Sequence, residues 1–359
     1  MANCGDRKVF TQKDARDLAR ECKVLVGNLD IISRNDTDDL NFDGLEEVKG
    51  SIWVQSICFA DDKNAKEKKD CPSWEPVKIE SSTLRRVGGH FVVRSFVPGK
   101  AGFWNITVPR LRTIGEDLLL NDEQLEYLDV TDLEEIGDVD LDVPNLNTLR
   151  HEQLRSVTGG QAPAPGPIAG NFVVRRIAVD NLDSFLKPNI SLPNVQIQLE
   201  SGMPRVTIGY AELGSLVLGA PETNVSFDEV VFGDGNTQAL HIQNFTSYSE
   251  VKKLVREPQL RDFSAGMFKM DRGSLHHWEL PFDTLRELRL LDIKCPETIT
   301  LPPRAATWSN FTLQIKRGPM KLASEYADKD GQRTKTWYWP EQPIDTIDLQ
   351  DVSIDNAFL

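Results

Sequence analysis

A short signature, Leu-x-x-Val or Leu-x-x-Ile closed by glycine, recurs through the first half of the chain. Leu45-Glu-Glu-Val48 runs through Lys49 to Gly50, Leu84-Arg-Arg-Val87 to Gly88-Gly89, and Leu111-Arg-Thr-Ile114 to Gly115. Leu133-Glu-Glu-Ile136 runs to Gly137, and Leu154-Arg-Ser-Val157 through Thr158 to Gly159. Cys22-Lys-Val-Leu25 with Gly27 is the first copy, with Cys in the Leu position. The starts at 22, 45, 84, 111, 133 and 154 lie 23, 39, 27, 22 and 21 residues apart. All but the longest interval fall in the range of about 20–29 residues expected of stacked coils. The 39 holds a Lys-rich insertion between Cys58 and Cys71, which reads as a loop thrown out of one coil.

Each copy is a physical unit. The Leu and the Val or Ile point inward, and the Gly makes a sharp turn where a Cβ would clash or φ must be positive. A strand-like run follows: Leu29–Ile31, Ile52–Val54, Phe91–Val93, Leu118–Leu120 and Val139–Val143. In the last, Asp138, Asp140 and Asp142 alternate with Val139, Leu141 and Val143, the period of two of a strand with one buried face. Stacked coils pair such strands in parallel, so the expected class is mostly β, a parallel β-solenoid. The open end of a solenoid needs a cap. Thr11 with Asp14 three residues on is a helix start resembling a capping box, followed by the apolar stripe Ala15, Leu18 and Ala19.

Residues 161–170, rich in Pro and Gly, read as a linker between a first solenoid over 1–160 and a second, degenerate one over 171–325. Strand-like runs recur there at Phe172–Val174, Val195–Leu199, Val206–Ile208, Ser215–Leu218, Val230–Phe232, Leu240–Ile242 and Phe311–Ile315, without the signature. Ser249–Val255 and Asp283–Leu291 read as helices, and 326–359 as a polar tail or end cap.

The formal net charge of -14 argues against a nucleic-acid partner and against a polybasic membrane contact. No apolar signal core follows Met1 and no run of about 18 apolar residues occurs, which read literally describes an intracellular chain. Against that stand six Asn-x-Ser/Thr sequons, at Asn35, Asn105, Asn189, Asn224, Asn244 and Asn310. The cysteines agree with secretion: Cys4 with Cys22 and Cys58 with Cys71 are two local pairs, each closing a short loop, and Cys295 is left over. No CxxC and no clustered His accompany them, so no metal or cofactor is expected.

Twelve acids and no Lys or Arg fall between 113 and 149. Stacking of coils would gather Asp129, Asp132, Asp138, Asp140 and Asp142 into a negative face. That face would serve Ca²⁺ or a cationic partner, or be merely solvated. Asp138, Asp140 and Asp142 are also the candidates for a carboxylate-based polysaccharide hydrolase, the alternative function. His90, His151, His241 and His276-His277-Trp278 lack metal spacing. Trp337-Tyr338-Trp339-Pro340 suits either sugar stacking or end-cap packing. Val87-Gly-Gly-His-Phe91 lacks a nucleotide-loop context.

The run Cys22-Lys-Val-Leu-Val-Gly27-Asn-Leu-Asp-Ile31 after a capping helix resembles the opening of the receptor L domain. Phe42-Asp-Gly-Leu45-Glu-Glu-Val48-Lys-Gly50-Ser-Ile-Trp-Val54 is similar to its second coil. The resemblance covers residues 4–160 and implies a right-handed β-helix of leucine-rich-like coils. With no Cys-rich module between its halves, the chain is more similar to the fungal cell-wall-organisation and sporulation-specific surface proteins. That likeness implies a lipid-anchored wall or plasma-membrane glycoprotein without catalysis, although the chain shows no Ser/Thr-rich stalk and no anchor or leader signal. The resulting expectation is a non-enzymatic extracellular glycoprotein that engages wall polysaccharide or a surface protein, its anchor not encoded in this chain. An intracellular leucine-rich scaffold with free thiols is a further alternative.

Overall fold

The computed structural model describes residues 4–33, 39–56, 77–95, 103–151, 154–159, 170–179, 190–277 and 280–291. Beyond these it describes the strands at 311–316, 321–322, 325–327, 333–335, 344–350 and 353–354. The chain is a parallel β-solenoid in two compact units, Met1–Asp180 and Asn181–Leu359.

In the first unit each coil visits three parallel sheets. The longest contains Arg7–Val9, Leu29–Ser33, Ile52–Ser56, Phe91–Ser95, Leu118–Asn121, Val139–Val143 and Gly170–Ile177 in that order. A second sheet stacks Leu40–Asn41, Val77–Glu80, Phe103–Thr107, Tyr127–Asp129 and Thr148–Arg150. The third is made by the signature itself: Val24–Leu25, Glu47–Val48, Arg86–Val87, Thr113–Ile114, Glu135–Ile136 and Ser156–Val157. Equivalent apolar residues fall in register across coils. Leu29, Ile52, Phe91, Leu118, Val139 and Phe172 form one inward column. Leu25, Val48, Val87, Ile114, Ile136 and Val157 form another, and every member of both is buried. Each such side chain taken from water contributes about 1.5–3 kcal/mol, which is why the pattern recurs so strictly.

The signature glycines answer to close approach. A Cβ on Gly50, Gly88, Gly115 or Gly137 would lie under 3.0 Å from a backbone carbonyl oxygen of the preceding coil. Only Gly159, in the last copy, has a positive φ, of 75°. The cap helix is Gln12–Glu21, closed by a reciprocal box. The Thr11 hydroxyl accepts from the Asp14 amide at 3.2 Å and the Asp14 carboxylate from the Thr11 amide at 3.0 Å. Ala15, Leu18 and Ala19 are its buried stripe.

The second unit keeps the parallel stacking but fills its core differently. Ser191–Leu199, Glu212–Leu218, Ala239–Ser247, Asp262–Asp271, Thr284–Leu291, Phe311–Lys316 and Ile344–Gln350 form its long sheet. Met203–Ile208, Ser226–Phe232, Glu250–Arg256 and Ser274–His277 form a second. Between them Phe232, Phe245, Phe263, Phe268 and Phe282 stack, with ring centroids 4.6 Å apart for Phe232 and Phe263 and 4.8 Å for Phe263 and Phe282. Close glycine approach persists although the signature does not: a Cβ on Gly214, Gly266 or Gly273 would lie 2.5 Å from a backbone carbonyl oxygen of a neighbouring coil.

Two expectations are corrected. Both helix assignments fail: Glu250–Arg256 and Thr284–Leu291 are strands, because their β-branched and leucine positions pair in register with neighbouring coils. Gly170–Ile177 pairs with Val139–Val143 and completes the first unit, so the boundary falls at 180/181 and not at the Pro/Gly run. The polar C-terminal segment includes a further coil strand, Ile344–Gln350, parallel to Phe311–Lys316. Residues 160–169 lie outside the described residues.

Candidate functional site

The corner that follows each signature turn carries a polar ladder. Asp6 Oδ1 accepts from the Asn28 amide at 2.7 Å, Asn28 Oδ1 from the Ser51 amide at 2.8 Å, and Ser51 Oγ from the His90 amide at 3.1 Å. His90 Nδ1 accepts from the Asp117 amide at 3.3 Å, Asp117 Oδ1 from the Asp138 amide at 3.2 Å, and Asp138 Oδ1 from the Asn171 amide at 2.9 Å. One side chain per coil thus satisfies the first amide of the next coil's strand, a group that would otherwise be left unpaired at the turn. The His90 ring also faces two carboxylates, Nε2 meeting Glu116 Oε2 at 2.6 Å and Nδ1 meeting Asp117 Oδ2 at 3.1 Å.

The five acids expected on one face are divided among different surfaces. Asp129 ends a second-sheet strand and is buried, accepting from the Thr131 amide at 3.1 Å and hydroxyl at 2.7 Å as a turn-forming residue. Asp132 follows in that turn, its amide bonded to the Pro109 carbonyl at 3.0 Å. Asp138 belongs to the corner ladder. Asp140 and Asp142 do share the long sheet's outward face, and both are countered. Arg175 Nε donates to Asp140 at 3.1 Å, and Arg176 donates through Nε and Nη2 to Asp142. Elsewhere in the band Glu134 pairs with Arg155, and His90 stands between Glu116 and Asp117. Asp122, buried at the next corner, accepts from the Phe103 amide at 3.1 Å and the Gln124 amide at 2.7 Å. Desolvation outweighs those two bonds and pushes its carboxyl up to about 6. Much of the acidic stripe is therefore taken up in cross-coil pairs. Asp138, Asp140 and Asp142 are each engaged in one and do not converge on a common point.

Three sequon asparagines are described. Asn105 lies half-buried in the strand Phe103–Thr107, its Oδ1 accepting from the Thr107 hydroxyl of the same sequon at 2.7 Å. Asn224 is exposed just ahead of Ser226–Phe232, and Asn244 lies half-buried within Ala239–Ser247. Asn35, Asn189 and Asn310 lie outside the described residues, as do Cys58, Cys71, Cys295 and Trp337–Pro340. Cys4 and Cys22 stand in disulfide geometry, Cα to Cα 5.9 Å, tying the chain ahead of the cap helix to the first coil. His151 is buried, and His241 Nδ1 meets Ser264 Oγ at 2.8 Å on the neighbouring strand.

Among the described residues no group of three or more His, Cys, Asp or Glu is placed to hold a metal ion, and no helix is long and apolar enough to cross a membrane. The ladder was missed in the sequence because its members differ chemically. Its signal is positional: Asn28, Ser51, His90, Asp138 and Asn171 each follow a turn glycine directly. Comparison of the chain with protein-family models, with curated proteins and with solved structures found no match.

Proposed function

We propose that the chain is a non-enzymatic extracellular glycoprotein that engages cell-wall polysaccharide or another surface protein through the sides of its solenoid. The observation that carries this reading is the Cys4–Cys22 pair, closed at the point where the cap joins the first coil. A structural disulfide belongs to oxidising compartments. The three described sequons are compatible with it, since none of their asparagines is fully buried. The long outward faces offer the extended contact surface typical of stacked-coil proteins. Expression through a secretory host tests the reading: mass spectrometry should find glycan on Asn224, with Cys4 and Cys22 linked. A secreted chain with no glycan at any sequon and two free thiols at 4 and 22 would overturn it.

A further inference from the structure

Alignment of the signature coils stacks their second positions into one charged column, its Lys and Arg members exposed and its two Glu members half-buried. Lys23, Glu46, Arg85, Arg112, Glu134 and Arg155 follow one another. Each amide from Glu46 onward donates to the carbonyl of the member before it at 2.8 Å. The ends of this column are neutralised: Lys23 Nζ meets Glu46 at 3.3 Å, and Arg155 pairs with Glu134. The middle is not. Arg85 and Arg112 stand on adjacent coils as like charges, and Arg86, in register with Glu47, lies beside them. All three arginines are exposed. Among the described residues no carboxylate lies within 4.0 Å of any of the three guanidinium groups, because Glu46 and Glu134 are turned away toward Lys23 and Arg155.

Like charges directly opposite on a sheet are unfavourable, and an anion bridging them removes the repulsion. Successive coils stack about 4.8 Å apart, and arginines carried on neighbouring coils offer donor forks to carboxylate or phosphate oxygens. That coil repeat is close to the length of one sugar residue, so a glycan running along the solenoid could offer one acidic group per coil. Three arginines are too few for a nucleic-acid footprint. The chain's overall charge of -14 repels polyanions at a distance, so capture depends on direct contact within the Debye length of about 10 Å at 0.1 M salt.

We propose that Arg85, Arg86 and Arg112 form an anion-binding patch whose occupant is a glycan bearing carboxylate or phosphate groups. The proposal names a partner for the wall reading above and rests on it for the choice of a glycan. The test is retention of the purified full chain on polygalacturonate, phosphate-bearing mannan, neutral β-glucan, phosphatidylserine vesicles and polyglutamate, over a salt series. The expected result is binding to one or both anionic glycans, weakening with salt, and none to neutral glucan. The uronate and phosphate arms show which oxyanion is preferred. Arg85→Gln with Arg112→Gln should lower that affinity at least about tenfold, while Lys252→Gln, which removes a cation paired with Asp228 in the second unit, should leave it unchanged. The double variant should melt no lower than the parent, because it removes a repulsion; each single variant, measured alone, should show part of the loss. Anionic-glycan binding unchanged in these variants, equal retention on neutral glucan, or retention on vesicles or polyglutamate without the glycans would overturn the proposal. So would failure to bind either anionic glycan. Sequon occupancy read on the same preparation separates the two readings: glycan binding by a chain without glycans or disulfide leaves the patch standing and removes the surface assignment.

Discussion

Replacing Gly115 with Ala should be among the most damaging small substitutions in the first unit. The added Cβ would stand under 3.0 Å from the Gly88 carbonyl oxygen, about 1 Å short of ordinary contact. That oxygen belongs to the adjacent coil's backbone, so no side-chain rotation can relieve the clash. The coils must part at this corner. Parting stretches the Gly115 amide to Val87 carbonyl bond of 2.9 Å and the Glu116 amide to Gly89 carbonyl bond of 3.2 Å. Two weakened backbone bonds cost about 2 kcal/mol, and the overpacking strain adds about 1–3 kcal/mol. The predicted loss is therefore about 3–5 kcal/mol, read as a lowered urea midpoint for the first unit by hydrogen exchange. Gly235 supplies the comparison. Its φ is 84° and nothing lies within 4 Å of a Cβ built there, so Gly235→Ala should cost only the left-handed penalty of roughly 1–2 kcal/mol. If Gly115→Ala costs less than Gly235→Ala, the explanation of the repeat glycines by close approach is wrong.

Reduction of Cys4–Cys22, a separation of 18 residues, should remove about 3 kcal/mol. The loss should appear first as faster hydrogen exchange over Gln12–Glu21; unchanged exchange there would contradict the stapling role. Asp122 holds its proton more tightly folded than unfolded, so stability of the first unit should fall as pH rises from about 4 through about 6 and then level off. The size is roughly 2–3 kcal/mol at most, and Asp122→Asn should flatten that segment of a urea-midpoint profile against pH. In the second unit Asp283 accepts from Arg256 Nη1 at 2.6 Å and from the Phe263 amide at 2.8 Å. Asp283→Ala should cost about 2 kcal/mol, and a neutral result in chemical denaturation would show the pair to be incidental.

The parallel solenoid was legible because its cause is local and periodic. Leu45, Val48 and Gly50 recur as Leu84, Val87 and Gly89 since each coil meets the same constraint from the coil below. The cap was legible for the same reason: Thr11, Asp14 and the Ala15–Leu18–Ala19 stripe act within a single helix. What the sequence hid was the means of filling the second core. Val251, Leu254 and Val255, and Leu285, Leu288 and Leu291, can be spaced as a helix face or as strand positions. Only neighbouring coils, through Phe227–Val251, Val230–Leu254 and Phe268–Leu288 pairing, decide between them.

The charges show the limit most clearly. Counted along the chain, residues 113–149 are purely acidic. In a stacked coil, however, the electrostatic neighbours of a residue lie about one coil away, roughly 20–29 positions along the sequence. The partners of this band accordingly sit outside it: His90 before, and Arg155, Arg175 and Arg176 after. Linear counting merged these paired side chains with the remaining acids into one apparent anionic surface. It also concealed the converse feature, because Arg85 and Arg112 are separated by 27 positions and become adjacent only when the repeats are aligned. Charge in such a chain has to be read down the columns of its repeat. Read that way, the first unit also carries a basic column, in a protein whose net charge is strongly negative.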